Sequence, residues 1–258
     1  LTPQQLLARV ETWKQKTLFD FARESLRPSL LAATALAEFE QGLQPNLSPE
    51  KAAEVCQSLM MGVHPEPECD VAGGLKRYVR GEISREVFLE LYGHRGAHEM
   101  DLSAPRWRET PDRLPPVEGP SKSAGDDATA PLPQNAANDP RWLKIAKEAK
   151  LEAAQHTALD GALQAARSLV AMRETAKHYL ILGMGVMRDS LVELDRRHSL
   201  SGGIFYLLPE ELPRLIGGED FRATIAARKR ERQLMLGMPL PPVIFSDDLE
   251  AIGRPLPA

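Results

Sequence analysis

Sixteen consecutive residues, from Tyr92 to Trp107, hold two histidines (His94, His98), two arginines (Arg95, Arg106), two carboxylates (Glu99, Asp101) and two aromatics. Guanidinium and imidazole groups are the side chains best suited to grip phosphate or carboxylate. Gly93 and Gly96 bracket His94-Arg95, which lets the backbone turn sharply or approach a ligand closely. Either histidine can serve as general acid or base, since imidazole titrates near neutrality. Two readings fit. In one, His94 and Arg95 cap the preceding helix, whose C-terminal end attracts cations. In the other, His94, Arg95, His98 and Glu99 line a binding pocket, with Arg106-Trp107 as an anchor or a contact.

A second group lies downstream. Leu159, Leu163, Ala166 and Val170 make an apolar stripe at helical steps, and extending it brings Arg173, Lys177 and Arg188 into a sector of roughly 60°. Inward-facing cations need partners, because an unpaired buried charge is very costly. Glu99, Asp101 and Glu174 are candidate partners; otherwise the cations form an anion site facing a cavity, or the helix rotates to leave them in water.

The elements positioning these groups read as helices. Residues 2–39 carry a helical apolar period that Pro28 is expected to interrupt. Ser48-Pro49-Glu50 is a helix start. Short helices are expected over 72–80, ending at Gly81, and over 85–92, capped by Ser84 and ending with Gly93 in the left-handed cap position. One long helix is expected over 140–198, bending near Gly183 and Gly185. Ile204 to Leu207 fits a strand or a docked turn. Helix starts follow at Pro209-Glu210-Glu211, at Glu219-Asp220 and, after a break at Pro239 to Pro242 and the run Val243-Ile244-Phe245, at Ser246-Asp247-Asp248. The fold class is mainly α: a multi-helix domain with one long bent helix and at most a short strand pair. Residues 1–109 form an N-terminal helical part, 110–140 a proline-rich linker or insertion, and 141–258 the long helix and C-terminal helices, sharing one core with 1–109.

Composition narrows the function. Aromatics are 5% of the 258 residues and apolar residues 43%, the balance of a helical globular protein. A net charge of −4 gives no general pull toward nucleic acid or anionic membrane. No apolar run approaches membrane-spanning length. Cys56 and Cys69 read as reduced thiols of a cytoplasmic chain. His94-x3-His98-Glu99 has the wrong order for the helical zinc motif, and Cys56, His64 and Cys69 lack a paired CxxC, so no metal site is expected. No phosphate-binding loop, dinucleotide fingerprint or nucleophile elbow occurs. The basic run Arg228 to Arg232 is diluted by Glu231 and reads as a solvated face. Leu1 and the Pro-rich end suggest a piece of a longer protein.

Phe88-Leu89-Glu90-Leu91-Tyr92-Gly93-His94-Arg95-Gly96, then Glu99-Met100-Asp101-Leu102-Ser103 and Pro105-Arg106-Trp107, resemble the central region of phosphoenolpyruvate-utilising phosphotransferases, the group of phosphoenolpyruvate synthase-like proteins and rifampicin phosphotransferase. Arg173-Glu174, Lys177-His178-Tyr179, Arg188, Leu191 to Arg197, Gly203 to Leu207, Glu210 to Leu212 and Val243 to Leu249 extend the resemblance. It implies an ATP-grasp module before this region and a swivelling phosphohistidine domain after it, with ATP and Mg used by the full-length protein. Neither module's motifs occur in this chain, so it is expected to be inactive alone, with no cofactor of its own. The resemblance implies a central domain that binds a small-molecule acceptor. Arg95, His98, Glu99, Arg106, Arg173, Lys177 and Arg188 would hold substrate or anion, and His94 would orient or deprotonate an acceptor hydroxyl. The alternative is a helical scaffold on which the swivelling domain docks.

Overall fold

The computed structural model describes residues 1–119 and 135–238. Every regular element among them is helical: the protein is mainly α. The helices are α1 (Pro3–Lys14), α2 (Ala22–Leu43), α3 (Pro49–Met60), α4 (Val71–Val79), α5 (Arg85–Tyr92), α6 (Pro140–Glu148), α7 (Ala153–His198), α8 (Leu212–Ile216) and α9 (Arg222–Leu236). A π-helical segment, Gln15–Phe21, joins α1 to α2. No helix among the described residues is long and apolar enough to cross a membrane.

The chain divides into two compact units, residues 12–187 and residues 1–11 with 188–258. Among its described residues the larger unit holds three apolar clusters. Phe39, Leu43, Val55, Leu59, Trp142, Leu159 and Leu163 form one between α2, α3, α6 and α7. Tyr78, Phe88, Tyr92 and Leu114 form another, with Trp107 packed against it. Ile181, Met184 and Met187 form the third with Trp13 and Leu102. In the smaller unit, Asp195 accepts from the Gly202 and Ile204 amides at 2.8 and 3.0 Å, and Arg228 holds Glu211 at 2.6 Å.

Local chemistry explains several boundaries. The Ser48 side chain accepts from Lys51 N with Pro49 in the first turn, and Ser84 accepts from Val87 N, as the sequence predicts. Gly81, at φ 74°, closes the turn after α4.

Other expectations are corrected. Residues 140–198 are two helices, because α6 ends in a Schellman turn: Leu151 N donates to Ala146 O and Lys150 N to Lys147 O, with Lys150 at φ 53° where glycine is usual. Pro28 lies buried inside α2 without ending it. Gly93 is right-handed, at φ −62°; its lack of a side chain answers crowding, since a Cβ there would lie 2.3 Å from Leu89 O. Gly183 likewise permits close approach, with Thr17 Oγ1 2.3 Å from where its Cβ would stand, and α7 runs through it. Of the two forms expected after Gly202, a strand or a docked turn, Gly203–Tyr206 takes the second, as a 3-10 turn. Within the proline-rich 110–140 stretch, Leu114 is buried and Glu118 N donates to Val79 O at 2.8 Å, while Ala136 is buried at the other end. Residues 120–134, the expected break at Pro239 to Pro242, the run Val243 to Phe245, the helix start at Ser246 and the resemblance through Leu249 lie outside the described residues.

Candidate functional site

The loop after α5 is closed at its base by two backbone bonds: Trp107 N donates to Arg95 O at 2.8 Å and Arg108 N to Gly93 O at 3.0 Å. Gly96 lets the two limbs approach, since a Cβ would lie 2.9 Å from Pro105 O. Inside the loop, Asp101 N donates to His98 O, and the Ser103 amide and hydroxyl both donate to Asp101 Oδ1 at 2.7 Å. His98 adopts φ 54°, a left-handed conformation uncommon outside glycine. Trp107 packs against Phe88, with ring centroids 5.4 Å apart and the planes tilted by 46°.

This loop and α7 bound an open cleft of about 650 Å³, whose lining includes Arg95, His98, Glu99, Met100, Trp107 and Lys177. Glu99 is its electrostatic hub. Arg95 donates to it twice, Nε to Oε2 at 2.6 Å and Nη2 to Oε1 at 2.8 Å, and Lys177 Nζ lies 2.9 Å from Oε1. Burial alone would raise the Glu99 carboxyl, but the bonds from Arg95 and Lys177 outweigh it and hold it below the ordinary range. Arg95 is 4% exposed at its side chain and Lys177 45%, so the guanidinium is locked and the ammonium faces the cleft.

His94 is buried beneath the loop against His178 of α7, with ring centroids 4.7 Å apart at 87°. His94 Nε2 and His178 Nδ1 have no hydrogen-bond partner among the described residues. Burial, then the His178, Arg95 and Arg108 charges, push His94 down to about 3, so it is neutral at ordinary pH. Burial and then Arg95 also lower His178.

The structure therefore brings Arg95, His98, Glu99 and Lys177 together. Arg173 is exposed and turns to its neighbour Glu174, 2.8 Å away. Arg106 is fully buried, its amide donating to Glu109. Arg188 belongs to the smaller unit, where its guanidinium lies 5.1 Å from the Phe205 ring centroid. Among the expected partners, Glu99 and Glu174 do pair with the α7 cations. His178 was not among the expected site residues; its signal was a step of four from Glu174 rather than a step onto Lys177. No group of three His, Cys, Asp or Glu residues suited to a metal occurs among the described residues.

No curated protein and no solved structure matches the chain. Residues 48–174 match the family model described as the rifampicin phosphotransferase fourth domain. The match starts at the cap of α3, takes in the whole loop and its cleft wall, and stops three residues before Lys177. Over residues 48–174 the chain thus belongs to the rifampicin phosphotransferase fourth-domain family, a domain of a phosphotransferase related to the phosphoenolpyruvate-utilising enzymes.

Proposed function

We propose that the cleft beside Glu99 receives the phosphoryl acceptor of a multidomain, ATP-dependent phosphotransferase. The observation that carries this reading is the juxtaposition, in one open cleft of about 650 Å³, of the Trp107 indole and Met100 with His98, Glu99 and Lys177. A concave site with apolar walls and a few convergent polar groups is the usual form of a small-molecule site. Family membership implies ATP use by the full-length enzyme; ATP, its Mg and the phosphohistidine belong to partner domains, in cis or in trans. In the transfer, the bond from phosphorus to the donor histidine breaks as the acceptor oxygen bonds phosphorus, and the acceptor proton leaves to a base. His94 is buried and unsuited to that role, so it positions the loop; His98 is the imidazole that faces the cleft. Lys177, half-exposed and shared with Glu99, is placed to turn toward an incoming anion.

A second reading, a scaffold or docking module for the swivelling domain, draws support from the bidentate capture of Arg95 by Glu99, which spends its charge internally. The two separate by titrating the chain with rifampicin while following tryptophan fluorescence. Saturable quenching that weakens in Lys177→Ala, and loses most of its amplitude in Trp107→Phe, supports acceptor binding. No saturable change favours the scaffold.

A further inference from the structure

We infer that the outward face of α2 is a self-pairing surface on which two copies of this chain associate antiparallel. Ser25, Pro28, Ala32, Ala35 and Phe39 form the buried side of α2. On the opposite side, Phe19 in the π-helical segment, Leu26 and Leu30 are 57%, 61% and 71% exposed. At about 100° per residue they continue into Thr34 and Ala37, with Ala33 on the flank, all of them exposed. The Thr34 hydroxyl is turned back onto Leu30 O at 3.2 Å, which leaves its methyl outward. This outward stripe thus exposes large apolar side chains to water.

Size and charge name the occupant. The first half of the stripe is bulky (Phe19, Leu26, Leu30) and the second half small (Ala33, Thr34, Ala37). A parallel copy would set bulk on bulk and leave a gap at the other end. An antiparallel copy, with its two-fold axis at Leu30, sets the two Leu30 side chains together and Leu26 of each chain at the level of Thr34 of the other, with Phe19 beyond them at the level of Gln41. Charge agrees. Arg23 lies near the stripe in the first half and Glu38 near it in the second, and neither forms an ion pair among the described residues. Arg27, by contrast, is held by Glu24 at 2.8 Å. Antiparallel pairing brings Arg23 of each copy to Glu38 of the other and opposes the two helix dipoles favourably. A 22-residue helix offers a contact only about 33 Å long, below the size of a standard stable interface, so the pair forms at micromolar concentration and above.

The test uses the chain as it stands. Sedimentation from about 10 to about 500 µM should show monomer giving way to dimer. Leu30→Glu should remain monomeric with unchanged helical circular dichroism, since that side chain is exposed. Arg23→Glu should weaken the dimer several-fold, and Arg23→Glu with Glu38→Arg should restore it. Because Cys56 and Cys69 are buried, Leu30→Cys should form a disulfide-linked dimer on mild oxidation far faster than Ala165→Cys, an exposed control on α7. A chain monomeric throughout the range overturns the inference, as does equal cross-linking at both sites or a charge swap that fails to restore pairing.

Discussion

His178 of α7 stands edge-on to His94 of the site loop, 4.7 Å between centroids, and both rings are buried. The pair joins loop to helix through neutral imidazoles. In the unfolded chain His94 regains its ordinary value of 6.5, against about 3 in the fold. The unfolded state therefore binds more protons between those values, and stability falls as pH drops below 6.5. The slope is at most about 1.4 kcal/mol per pH unit from His94. Urea unfolding between pH 7.5 and pH 5.5, above the titration of ordinary carboxylates, should show the loss. His94→Gln should flatten the dependence whatever its effect on absolute stability; an unchanged slope would mean His94 is not held neutral by burial.

Glu99 carries two cations of very different exposure, and removing them should differ accordingly. Glu99→Gln leaves the buried Arg95 guanidinium without its carboxylate and should cost about 3 kcal/mol or more. Lys177→Ala removes a partner that is 45% exposed and should cost no more than about 1 kcal/mol. Chemical denaturation checks both. Equal costs would show that the Arg95 bond does not anchor the loop.

The residues show where the sequence was legible. Ser48, Ser84 and Gly81 carry their roles in their side chains, or in the lack of one, so those helix ends could be read directly. The end of α6 could not, because the left-handed position is held by Lys150 and the turn rests on backbone bonds. Over residues 173–181 the shielded face of α7 lies one residue from the expected stripe. After Val170, steps of three and four are both helical, and the stripe takes Arg173, Lys177 and Leu180 where packing uses Glu174, His178 and Ile181, which are shielded; the two coincide again at Met184, Met187 and Leu191. Arg95, His98 and Glu99, singled out in the loop motif, all line the cleft. Which of His94 and His98 faces the cleft depends on the closure by Trp107 and Arg108, a long-range pairing with no local signal.

Two glycine replacements should act in opposite directions. Gly93→Ala drives a methyl to 2.3 Å from the Leu89 carbonyl and 3.1 Å from Arg108 Cβ; the loop base must shift, and the variant should lose about 2 kcal/mol or more. Gly161→Ala, in α7 with nothing within 4 Å of the new methyl, should gain up to about 1 kcal/mol from helix propensity. Thermal unfolding of the two variants distinguishes them by sign. A stabilised Gly93→Ala would show that the tight base of the loop is not required.

Asp139 ties α6 to α7 from inside the larger unit. Its Oδ1 accepts from Arg141 N at 2.8 Å at the start of α6, and its Oδ2 accepts from Arg167 Nη2 at 2.5 Å. Arg167 in turn donates to Leu59 O at 3.0 Å, reaching the end of α3. Burial would raise the Asp139 carboxyl, but the bonds from Arg141 and Arg167 reverse this and hold it far below the carboxylate range. Asp139→Asn keeps an oxygen for the cap and removes the charge, leaving Arg167, 7% exposed at its side chain, uncompensated; about 3 kcal/mol of stability should be lost. Arg167→Met alone strands the carboxylate only partly, because Arg141 remains, and should cost less. The double variant should be more stable than the sum of the two single losses, since each single change mainly penalises the partner it leaves behind. Simple additivity in urea unfolding would show that the two groups contribute independently and that the pair does not bind these helices together.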